Sequence, residues 1–406
     1  METPPGGGHR SGAGAGIVVV GAGPVGLTGA LALRTRGLPV VVLEASPPGR
    51  PRPGSRAIYY HRQTLERWES VAAGLGHEIA RRGTTWSTKQ TYWRGTPVYE
   101  RTYEPPDLGS LPPFTSLAQS ETERLLLDAC KEAGVEFSWE HEVRHVESTS
   151  EGVRLVTTAG AVVDADSVIA ADGARSAVRT SLGIALSGRR SENSFVIVDV
   201  AEDPSRPLLP ARIFHYEHPA VDRRNVLLVP FAGGWRADLQ CRPTDDPARW
   251  SDEGGVRRWV ARVLPPTYGE RITWVSTYRF LQAVADRFTD EHRRVLLVGE
   301  AAHLFAPFGA RGLNSGVADA LAAAEAVASA RPDGVDRFAG ARRAAALSNR
   351  DAAAAALRHM QARGPAIRVR RALAARRARR GRRAGAWLDA APYGPRARRD
   401  ASESIY

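Results

Sequence analysis

The chain has 406 residues, of which 43% are hydrophobic and 25% are charged, and this composition is typical of a globular protein of about two domains. It contains no run of about 18 apolar residues, and residues 1–16 lack the apolar core of a secretory signal, so we predict a cytoplasmic protein without a membrane span. The cysteines, Cys130 and Cys241, lie far apart without histidine neighbours, which indicates neither a disulfide framework nor a metal site and favours two buried small side chains.

The formal net charge of +12 is unevenly distributed, because residues 363–383 contain ten arginines and no acidic residue. Such a run could bind nucleic acid or a membrane surface. It lacks the interleaved aromatic residues of a single-strand binder and has no zinc or recognition-helix motif. A solvated arginine-rich helix is therefore the favoured interpretation, and residues 387–394 after it are typical of an extended segment that docks back onto the protein.

The first element with a chemical signature is a strand followed by a glycine-rich turn. The β-branched run Ile17–Val20 leads into Gly21, Gly23 and Gly26, which open an apolar helix, and a second strand then ends at Glu44. The glycines allow a tight turn and close approach to a pyrophosphate, while the carboxylate can accept ribose hydroxyls. This pattern predicts a dinucleotide site without a ribose 2′-phosphate, but it does not separate a nicotinamide from a flavin dinucleotide.

The middle of the chain is rich in strand-like runs. Residues 84–103 alternate in a strand pattern with a turn at residues 94 and 95, and residues 191–288 contain further runs. Together they predict a mostly antiparallel sheet. Its aromatic side chains are expected to be mainly core residues, with two or three lining a pocket for a planar substrate. They are Trp86, Tyr92, Phe214, Tyr216, Trp235, Tyr278 and Phe280.

Two later strands also run into polar loops. A strand at residues 167–170 precedes Asp172 and Gly173, and a strand ending at residue 298 precedes a glycine-containing loop at residues 299–314 and an alanine-rich helix from residue 315 to 330. Free N–H groups at such a helix start favour an anionic or electron-rich ligand. Each segment is also compatible with an ordinary turn, and Asp172 with a helix N-cap.

In order and spacing, these three segments resemble the flavin-dependent aromatic hydroxylases related to p-hydroxybenzoate hydroxylase. The resemblance spans about residues 17–330, and residues 387–394 are similar to the closing segment of the phenol-hydroxylase branch. The implied fold is α/β: a Rossmann-like FAD-binding domain with a parallel sheet, an inserted, mostly antiparallel β-sheet domain that binds substrate, and a C-terminal helical tail.

The resemblance also implies where the domains begin and end. The FAD-binding domain is discontinuous and covers residues 12–83, 104–185 and 289–355, and the substrate-binding sheet covers residues 84–103 and 186–288. Residues 356–406 would form the arginine-rich helical tail, and residues 1–11 a disordered N-terminus. The sheet is expected to form a roof over the flavin.

The FAD-binding residues are implied position by position. Arg56 and Gln119 match flavin contacts of the family, and residues 309–314 would offer N–H groups to the pyrimidine side of the isoalloxazine, where reduced flavin carries negative charge. His303 is interpreted as a structural histidine that pins the loop. The complete set is Gly21, Gly23, Pro24, Val25, Gly26, Glu44, Ala45, Arg56, Gln119, Asp172, Gly173, Gly299, Glu300, Pro307, Gly309, Gly312, Leu313 and Asn314.

Two positions depart from the family pattern. Glu300 stands where the family usually has aspartate, so we expect FAD to bind with altered geometry because the side chain is one methylene longer. Ala310 stands where a second glycine is usual. We expect its φ to be negative, since positive values are costly for any residue with a Cβ.

The implied activity is that of an FAD-dependent monooxygenase, which uses NADPH or NADH and O₂ to hydroxylate a phenolic or polycyclic aromatic substrate of secondary metabolism through a flavin hydroperoxide. His215, Tyr216 and Tyr278 are candidates for deprotonating a phenol, and the sequence does not choose among them. Epoxidation, Baeyer–Villiger insertion or oxidation on the same fold is an alternative. A non-catalytic flavoprotein with a nucleic-acid-binding tail is a third hypothesis. We expect no metal, and a monomer or homodimer.

Overall fold

The computed structural model describes residues 16–394 except 52, 105, 106, 108, 192, 330, 379 and 380, so the prediction for residues 1–11 lies outside the described residues. The strands are β1 (Ile17–Val20), β2 (Val40–Glu44), β3 (Tyr59–His61), β4 (Thr88–Trp93), β5 (Thr96–Thr102), β6 (Phe114–Ser116), β7 (Glu136–Trp139), β8 (Val143–Ser148), β9 (Val153–Thr157), β10 (Val162–Ala165), β11 (Ser167–Ala170), β12 (Leu186–Arg190), β13 (Phe195–Ala201), β14 (Ala211–His218), β15 (Arg224–Phe231), β16 (Gly234–Gln240), β17 (Ile272–Tyr278), β18 (Leu281–Ala285), β19 (Val295–Leu297) and β20 (His303–Leu304). The helices are α1 (Pro24–Arg34), α2 (Arg62–Val71), α3 (Leu75–Arg82), α4 (Gln119–Glu132), α5 (Ala177–Ser181), α6 (Ala248–Ser251), α7 (Glu253–Val263), α8 (Arg311–Ala328), α9 (Gly334–Gln361), α10 (Pro365–Ala378) and α11 (Arg382–Ala390), and 3-10 turns include Gly299–Ala301 and Ala391–Tyr393.

A parallel sheet of five strands lies at the centre of the largest hydrophobic core. Its order is β19–β11–β1–β2–β7, and every neighbouring pair is parallel. Helices cover such a sheet on both faces, which explains why β1 and β19 are continuous apolar runs, buried at every residue, rather than alternating ones. The parallel sheet agrees with the predicted α/β class.

A second sheet has seven strands in the order β17–β13–β16–β15–β14–β4–β5, and its pairs are antiparallel except for β4 with β14. Alternation along β13 sends Val196, Val198 and Val200 to one face, where they share a hydrophobic cluster with Trp259 and Val260 of α7. Each fully buried valine of this cluster contributes about 1.5 to 3 kcal/mol of transfer free energy. The opposite face is free to form the wall of a cavity.

The C-terminal helices fold back onto the second sheet. The Lys89 ammonium on β4 lies 2.9 Å from the Asp389 carboxylate, and both side chains are buried. Tyr216 on β14 donates a hydrogen bond of 2.7 Å to the main-chain oxygen of Leu388. Residues 387–394 therefore dock as predicted, but as the end of α11 and a 3-10 turn rather than as an extended segment.

The arginine-rich region is only partly a solvated surface. Arg371 on α10 is 2% exposed, and its guanidinium lies 4.7 Å from the Tyr216 ring. Val369, also on α10, is exposed, as expected for a solvated helix. Among the described helices, none is both long and apolar enough to cross a membrane. Cys130 and Cys241 are both buried and free, as predicted.

Candidate FAD site and substrate cavity

The three predicted motifs meet at one edge of the parallel sheet. Strands β1, β2, β11 and β19 run in the same direction, so the residues that follow them emerge together. The ladder continues to this edge, because Gly21 N donates to Leu43 O at 2.8 Å and Val298 N donates to Ala170 O at 3.0 Å. Residues that are far apart in sequence thereby form one cleft at the carboxyl ends of the strands.

The first turn of the cleft depends on close packing. Gly21 has a φ of 102°, and a Cβ on Gly26 would lie only 1.9 Å from the Gly21 oxygen, so no side chain fits there. Helix α1 then begins at Pro24 without a side-chain cap, and no atom lies within 4 Å of a Cβ placed on Gly23. The uncapped N–H groups of the first turn, which includes Val25, therefore face open space suited to a pyrophosphate.

Glu44 is held rigidly at the end of β2. Its Oε2 accepts a hydrogen bond from Ala22 N at 2.7 Å, and its Oε1 accepts one from Ser46 N at 3.1 Å. A carboxylate has about four acceptor positions. Two bonds to main-chain N–H groups therefore leave Glu44 able to accept ribose hydroxyls beside the exposed Ala45.

The two carboxylate oxygens of Asp172 differ in their surroundings. Its Oδ2 accepts from Val178 N at 3.0 Å near the start of α5, as an N-cap would, whereas its Oδ1 is buried without a partner among the described residues. Burial raises the pKa of Asp172, opposed by hydrogen bonds from Ser176 and from main-chain N–H groups. Gly173 beside it borders open space. An unpaired buried oxygen at the rim of the cleft fits a ligand hydroxyl.

Arg179 connects the second motif to the third. Its Nη1 donates a hydrogen bond of 3.0 Å to Ala301 O, in the turn that follows β19. Burial lowers the pKa of Arg179, opposed by the charge of Asp172. This bond couples the loop of Asp172 to that of Glu300.

Helices α1 and α8 begin side by side. A Cβ on Gly316 would lie 2.6 Å from Val25 Cγ2, and a Cβ on Gly299 would lie 3.1 Å from Val25 Cγ1. The positive ends of both helix dipoles therefore border the same cleft, which suits a ligand with negative charge at two places.

A buried ion-pair network supports this junction. His303 Nε2 lies 2.6 Å from Asp319 Oδ2, and Arg342 donates to Asp319 Oδ1 at 2.7 Å. Burial would raise the pKa of Asp319, but Arg342 and His303 outweigh it and hold the pKa below its usual range. Asp319 Oδ2, the oxygen beside His303, also accepts from Gly299 N at 3.2 Å. His303 is 1% exposed and acts as the predicted structural histidine.

Glu300 lies in the turn that follows β19, at the edge of the cleft. The residue is exposed, yet partial desolvation by the surrounding protein raises the pKa of its carboxyl group. The charges of His303 and Arg56 act in the opposite direction. This position at the end of β19 is compatible with the flavin contact that the resemblance implies for Glu300.

The loop that carries Arg56 is fastened to the seven-stranded sheet. Asp199 accepts hydrogen bonds from Ser55 N at 2.7 Å and Ser55 Oγ at 2.8 Å, and Arg236 donates to the Arg56 oxygen. Gln119 Oε1 accepts from Ala57 N at 3.3 Å. Gln119 thus shapes the Arg56 loop.

The loop before α8 differs from expectation in one respect. Ala310 has a φ of +55° and a ψ of 41°, which is left-handed, so the expectation of a negative φ was wrong. The reason is local: the chain reverses at Ala310 to start α8 at Arg311, four residues earlier than predicted. A Cβ in this conformation costs roughly 1 to 2 kcal/mol.

Asn314 serves the loop through its side chain. Its Oδ1 accepts from His61 N at 3.1 Å and Thr64 Oγ1 at 2.5 Å, and its Nδ2 donates to Tyr59 O at 2.9 Å and Ala310 O at 2.7 Å. The amide is thereby fully committed to the protein. Helix α8 lacks a side-chain cap, and Gly312, next to Leu313, borders open space. The N–H groups at the start of α8 are therefore accessible to a ligand.

A cavity lies between the seven-stranded sheet, the loop before α8, helix α9 and the C-terminal turn. Pro307 and Phe308 form the part of its wall nearest to Ala310, so the cavity adjoins the cleft of the three motifs. Its lining is mostly apolar, with a few polar groups. The lining residues are Phe195, Ile197, Arg212, Phe214, Asn225, Leu227, Asp238, Gln240, Phe280, Pro307, Phe308, Met360, Pro392 and Tyr393.

None of the three candidate bases lines this cavity. His215 has the opposite strand parity to Arg212 and Phe214, and its ring lies 4.7 Å from that of Tyr92 on the other face. Tyr216 shares the parity of the cavity wall but is covered by the C-terminal helices, where its hydroxyl is 2.8 Å from His359 Nε2. Tyr278 is on an edge strand and is 54% exposed. The structure therefore brings none of the three side chains to this cavity.

Comparison with known proteins identifies the cofactor. A family described as an FAD binding domain matches residues 15–350, which contain all three motifs. The chain belongs to this family. Its residues fit FAD, because the cleft offers two uncapped helix starts, open space at Gly23 and Gly312, and the unpaired oxygen of Asp172.

Relatives of this FAD-dependent monooxygenase are aromatic hydroxylases. The chain is 32% identical to para-nitrophenol 4-monooxygenase of Pseudomonas sp. (strain WBC-3) over 77% of each chain. It is 30% identical to 6-methylpretetramide 4-monooxygenase of Streptomyces rimosus over 75% of its own length and 54% of the relative's length. A crystal structure of p-nitrophenol 4-monooxygenase from Pseudomonas putida DLL-E4 superimposes with a TM-score of 0.75 at 27% identity, covering 94% of this chain and 99% of that chain.

Two residues of the monooxygenase cavity went unrecognised in the sequence. Asp238 interrupts the strand Gly234–Gln240 between Ala237 and Leu239, which are buried on the other face. A lone acidic residue in such a strand is a signal that could have been noticed. Tyr393 could not be assigned, because only the docking of the C-terminal turn brings it to the cavity.

Proposed function

We propose that the cavity holds the aromatic substrate of this NAD(P)H-dependent FAD monooxygenase and that the enzyme hydroxylates a phenolic or polycyclic ring. The observation that carries this proposal is the position of a largely apolar cavity directly beside the loop that opens α8. A planar aromatic compound suits apolar walls with few polar groups. The names of the relatives, which act on p-nitrophenol and on 6-methylpretetramide, support a phenolic or polycyclic ring.

The protein supplies position, electrostatics and exclusion of water. When FAD is bound, the cofactor supplies the redox chemistry by which NAD(P)H and O₂ lead to one oxygen atom on the ring. Main-chain N–H groups of α8 at Gly312 and Leu313 would stabilise negative charge on the reduced flavin. Phe195, Phe280 and Phe308 would press on the substrate ring and exclude water.

The two sheets would bind different molecules. Residues 84–103 and 186–288, which contain the seven-stranded sheet, bind substrate, while the discontinuous segments 12–83, 104–185 and 289–355 bind FAD. The C-terminal turn within residues 356–406 is included in the substrate site, since Pro392 and Tyr393 belong to the lining. The sequence had predicted a separate arginine-rich tail for these residues, whereas the proposal includes their final turn in the substrate site.

Substrate-stimulated oxidation of NAD(P)H tests the proposal. The FAD-loaded enzyme is assayed with NADPH and with NADH against a panel of phenols and polycyclic aromatics, and products are analysed by mass after reaction in ¹⁸O₂. We expect one labelled oxygen atom in a hydroxylated product. A product without label would indicate oxidation, and a labelled lactone or epoxide would indicate the alternative chemistries.

A cavity-filling variant locates the substrate. Leu227→Phe reduces the volume of the cavity, so we expect the KM for the aromatic substrate to rise at least tenfold while the FAD content stays unchanged. Val162→Phe is the matched control, because Val162 is 54% exposed on a hairpin away from the cavity. Equal KM values for the two variants would contradict the assignment of the cavity.

A further inference from the structure

We propose that Asp238 accepts the proton of a hydroxyl group on the aromatic ring, that Arg212 binds the resulting oxyanion, and that Tyr393 donates a hydrogen bond to it. This assignment rests on the proposed function for the location of the substrate. It replaces the three candidate bases that lie outside the cavity.

Asp238 occupies an apolar position in the wall. On the neighbouring strands Ile197 and Leu227 lie directly opposite it, and both line the cavity beside it. Its Oδ1 is buried and has no partner among the described residues. A buried carboxylate oxygen without a donor is costly, and a substrate hydroxyl would remove that cost.

Arg236 and Asp199, the other charged pair on this face of the sheet, already bind groups of the protein. Arg236 donates to Asp199 Oδ1 at 3.2 Å, and Asp199 also accepts two hydrogen bonds from Ser55. These contacts fasten the Arg56 loop and leave neither group for the substrate. Asp238, two residues further along the same strand, stays unused.

Arg212 is the cation of the cavity wall. Its Nε is buried without a partner, and within the described part of the chain its guanidinium makes no ion pair. It lies instead over aromatic rings, 4.2 Å from the ring centre of Tyr393 and 5.2 Å from that of Tyr59. Aromatic faces hold the guanidinium in place but do not accept its in-plane hydrogen bonds. An oxyanion would accept them.

Tyr393 completes the polar end of the cavity. Its hydroxyl oxygen is buried with no partner in the described residues. Burial raises the pKa of Tyr393 to about 12, although Arg212 acts against this shift, so the hydroxyl keeps its proton and can donate it to an acceptor. Two other polar side chains of the wall bond to each other, since Asn225 Nδ2 donates to Gln240 Oε1 at 2.8 Å and also to Met360 O at 3.1 Å.

The proton transfer conserves atoms and charge. The substrate O–H bond breaks, its electron pair stays on the ring oxygen, and the proton moves to Asp238 Oδ1. The anion beside the Arg212 cation is more electron-rich at the ring carbons than the neutral phenol. The proton returns to the oxygen of the product before release, so Asp238 is regenerated.

The electrostatics of Asp238 are suited to this task. Burial raises the pKa of Asp238 to about 6, with Arg236 and Arg212 lowering it and Asp199 raising it. A base with a pKa near the working pH is ionised and still accepts a proton effectively. Activity that depends on Asp238 should therefore rise with pH through about 6.

Binding in the absence of turnover tests the assignment. The FAD-loaded enzyme is titrated at pH 7.5, without NAD(P)H, with a phenol whose pKa in solution lies about one unit above this pH, because the Arg212 cation can lower the pKa of a bound phenol by about 1 to 3 units. The ultraviolet difference spectrum reports the ionisation of the phenol. We expect the wild type to bind the phenolate. Asp238→Asn should bind only the neutral phenol, and Arg212→Met should weaken binding at least tenfold. A neutral phenol bound by the wild type, an equal phenolate fraction in Asp238→Asn, or no binding would overturn the proposal.

Turnover with two substrates separates a base from a merely structural residue. Asp238→Asn should lower kcat/KM at least 100-fold for the phenol that needs deprotonation and less than tenfold for one that is already ionised in solution. Asp164→Asn, on the exposed hairpin of β9 and β10, is the control and should leave both values unchanged. Equal losses on both substrates would overturn the assignment. Failure of the wild type to transfer oxygen would instead contradict the proposed function and leave the binding result intact.

Discussion

Arg179 donates a hydrogen bond of 3.0 Å to the main-chain oxygen of Ala301, and through it the loop after β11 is tied to the loop after β19. Because the guanidinium is buried, Arg179→Met removes a charge-assisted hydrogen bond with a typical value of about 1.5 to 3 kcal/mol. We expect the dissociation constant of FAD to rise roughly tenfold, measured by flavin fluorescence. Arg154→Met, on an exposed hairpin, is the control. Unchanged FAD affinity in Arg179→Met would separate the two loops energetically.

Replacement of Ala310 by glycine should make the folded protein more stable. Its φ of +55° is left-handed, so Ala310→Gly should raise the free energy of unfolding by about 1 kcal/mol, measured by denaturant titration. Ala344→Gly, at an exposed position within α9, should have the opposite effect and lower stability by roughly 0.5 to 1 kcal/mol. A loss of stability in Ala310→Gly would show that the methyl group is needed for packing.

The carboxyl group of Glu300 should make the stability of the FAD-free protein depend on pH. The folded protein raises the pKa of this carboxyl above its ordinary value of 4.5, so the native state holds a proton that the unfolded chain releases. Its contribution to stability is complete below pH 4.5 and is lost as pH rises through the folded pKa. Glu300→Gln should therefore raise the melting temperature at pH 7.5 more than at pH 4.5, unlike Glu136→Gln on an exposed edge strand. The reverse order would contradict desolvation as the cause.

The same residue offers a test of flavin contact. Glu300→Asp restores the side chain that the family usually has, so a contact with the flavin predicts a changed FAD affinity or a changed rate of flavin reduction by NAD(P)H. Stopped-flow absorbance measures the rate. Unchanged values for both would place the Glu300 side chain outside the FAD site.

The buried ion pair between Lys89 and Asp389 should control the substrate site but not the FAD site. Asp389 also accepts from Thr91 Oγ1 at 3.1 Å, so Asp389→Leu removes both this bond and the carboxylate that lies 2.9 Å from the buried Lys89 ammonium. We expect a loss of roughly 3 kcal/mol in stability and a weaker affinity for phenols, with FAD affinity unchanged. Lys89→Met/Asp389→Leu should recover most of the stability. Equal losses of FAD and substrate affinity would contradict the division of sites.

Local patterns predicted the FAD site, whereas the substrate site depends on distant segments. A strand, a glycine turn and an acid at the next strand end are neighbours in sequence, and parallel pairing alone brings them to one edge. Tyr216 lies on the same side of its strand as the residues of the cavity wall, as the alternation of the strand predicts. The sequence did not show that His359 and Leu388, from helices far along the chain, would cover its hydroxyl. The φ of Ala310 was misjudged because a residue with a Cβ usually avoids positive values, whereas the start of α8 requires a left-handed residue at this position.

Tyr393 lines the cavity, and its main-chain oxygen accepts a hydrogen bond of 3.2 Å from Arg311 Nη2 at the first residue of α8. Residues 15–350, which match the FAD-binding family, all precede this turn in the sequence and are therefore synthesised before it. The segment that closes the cavity is thus made after every residue assigned to the FAD site, and a chain interrupted before this turn would keep the flavin-binding residues but lack one wall of the cavity.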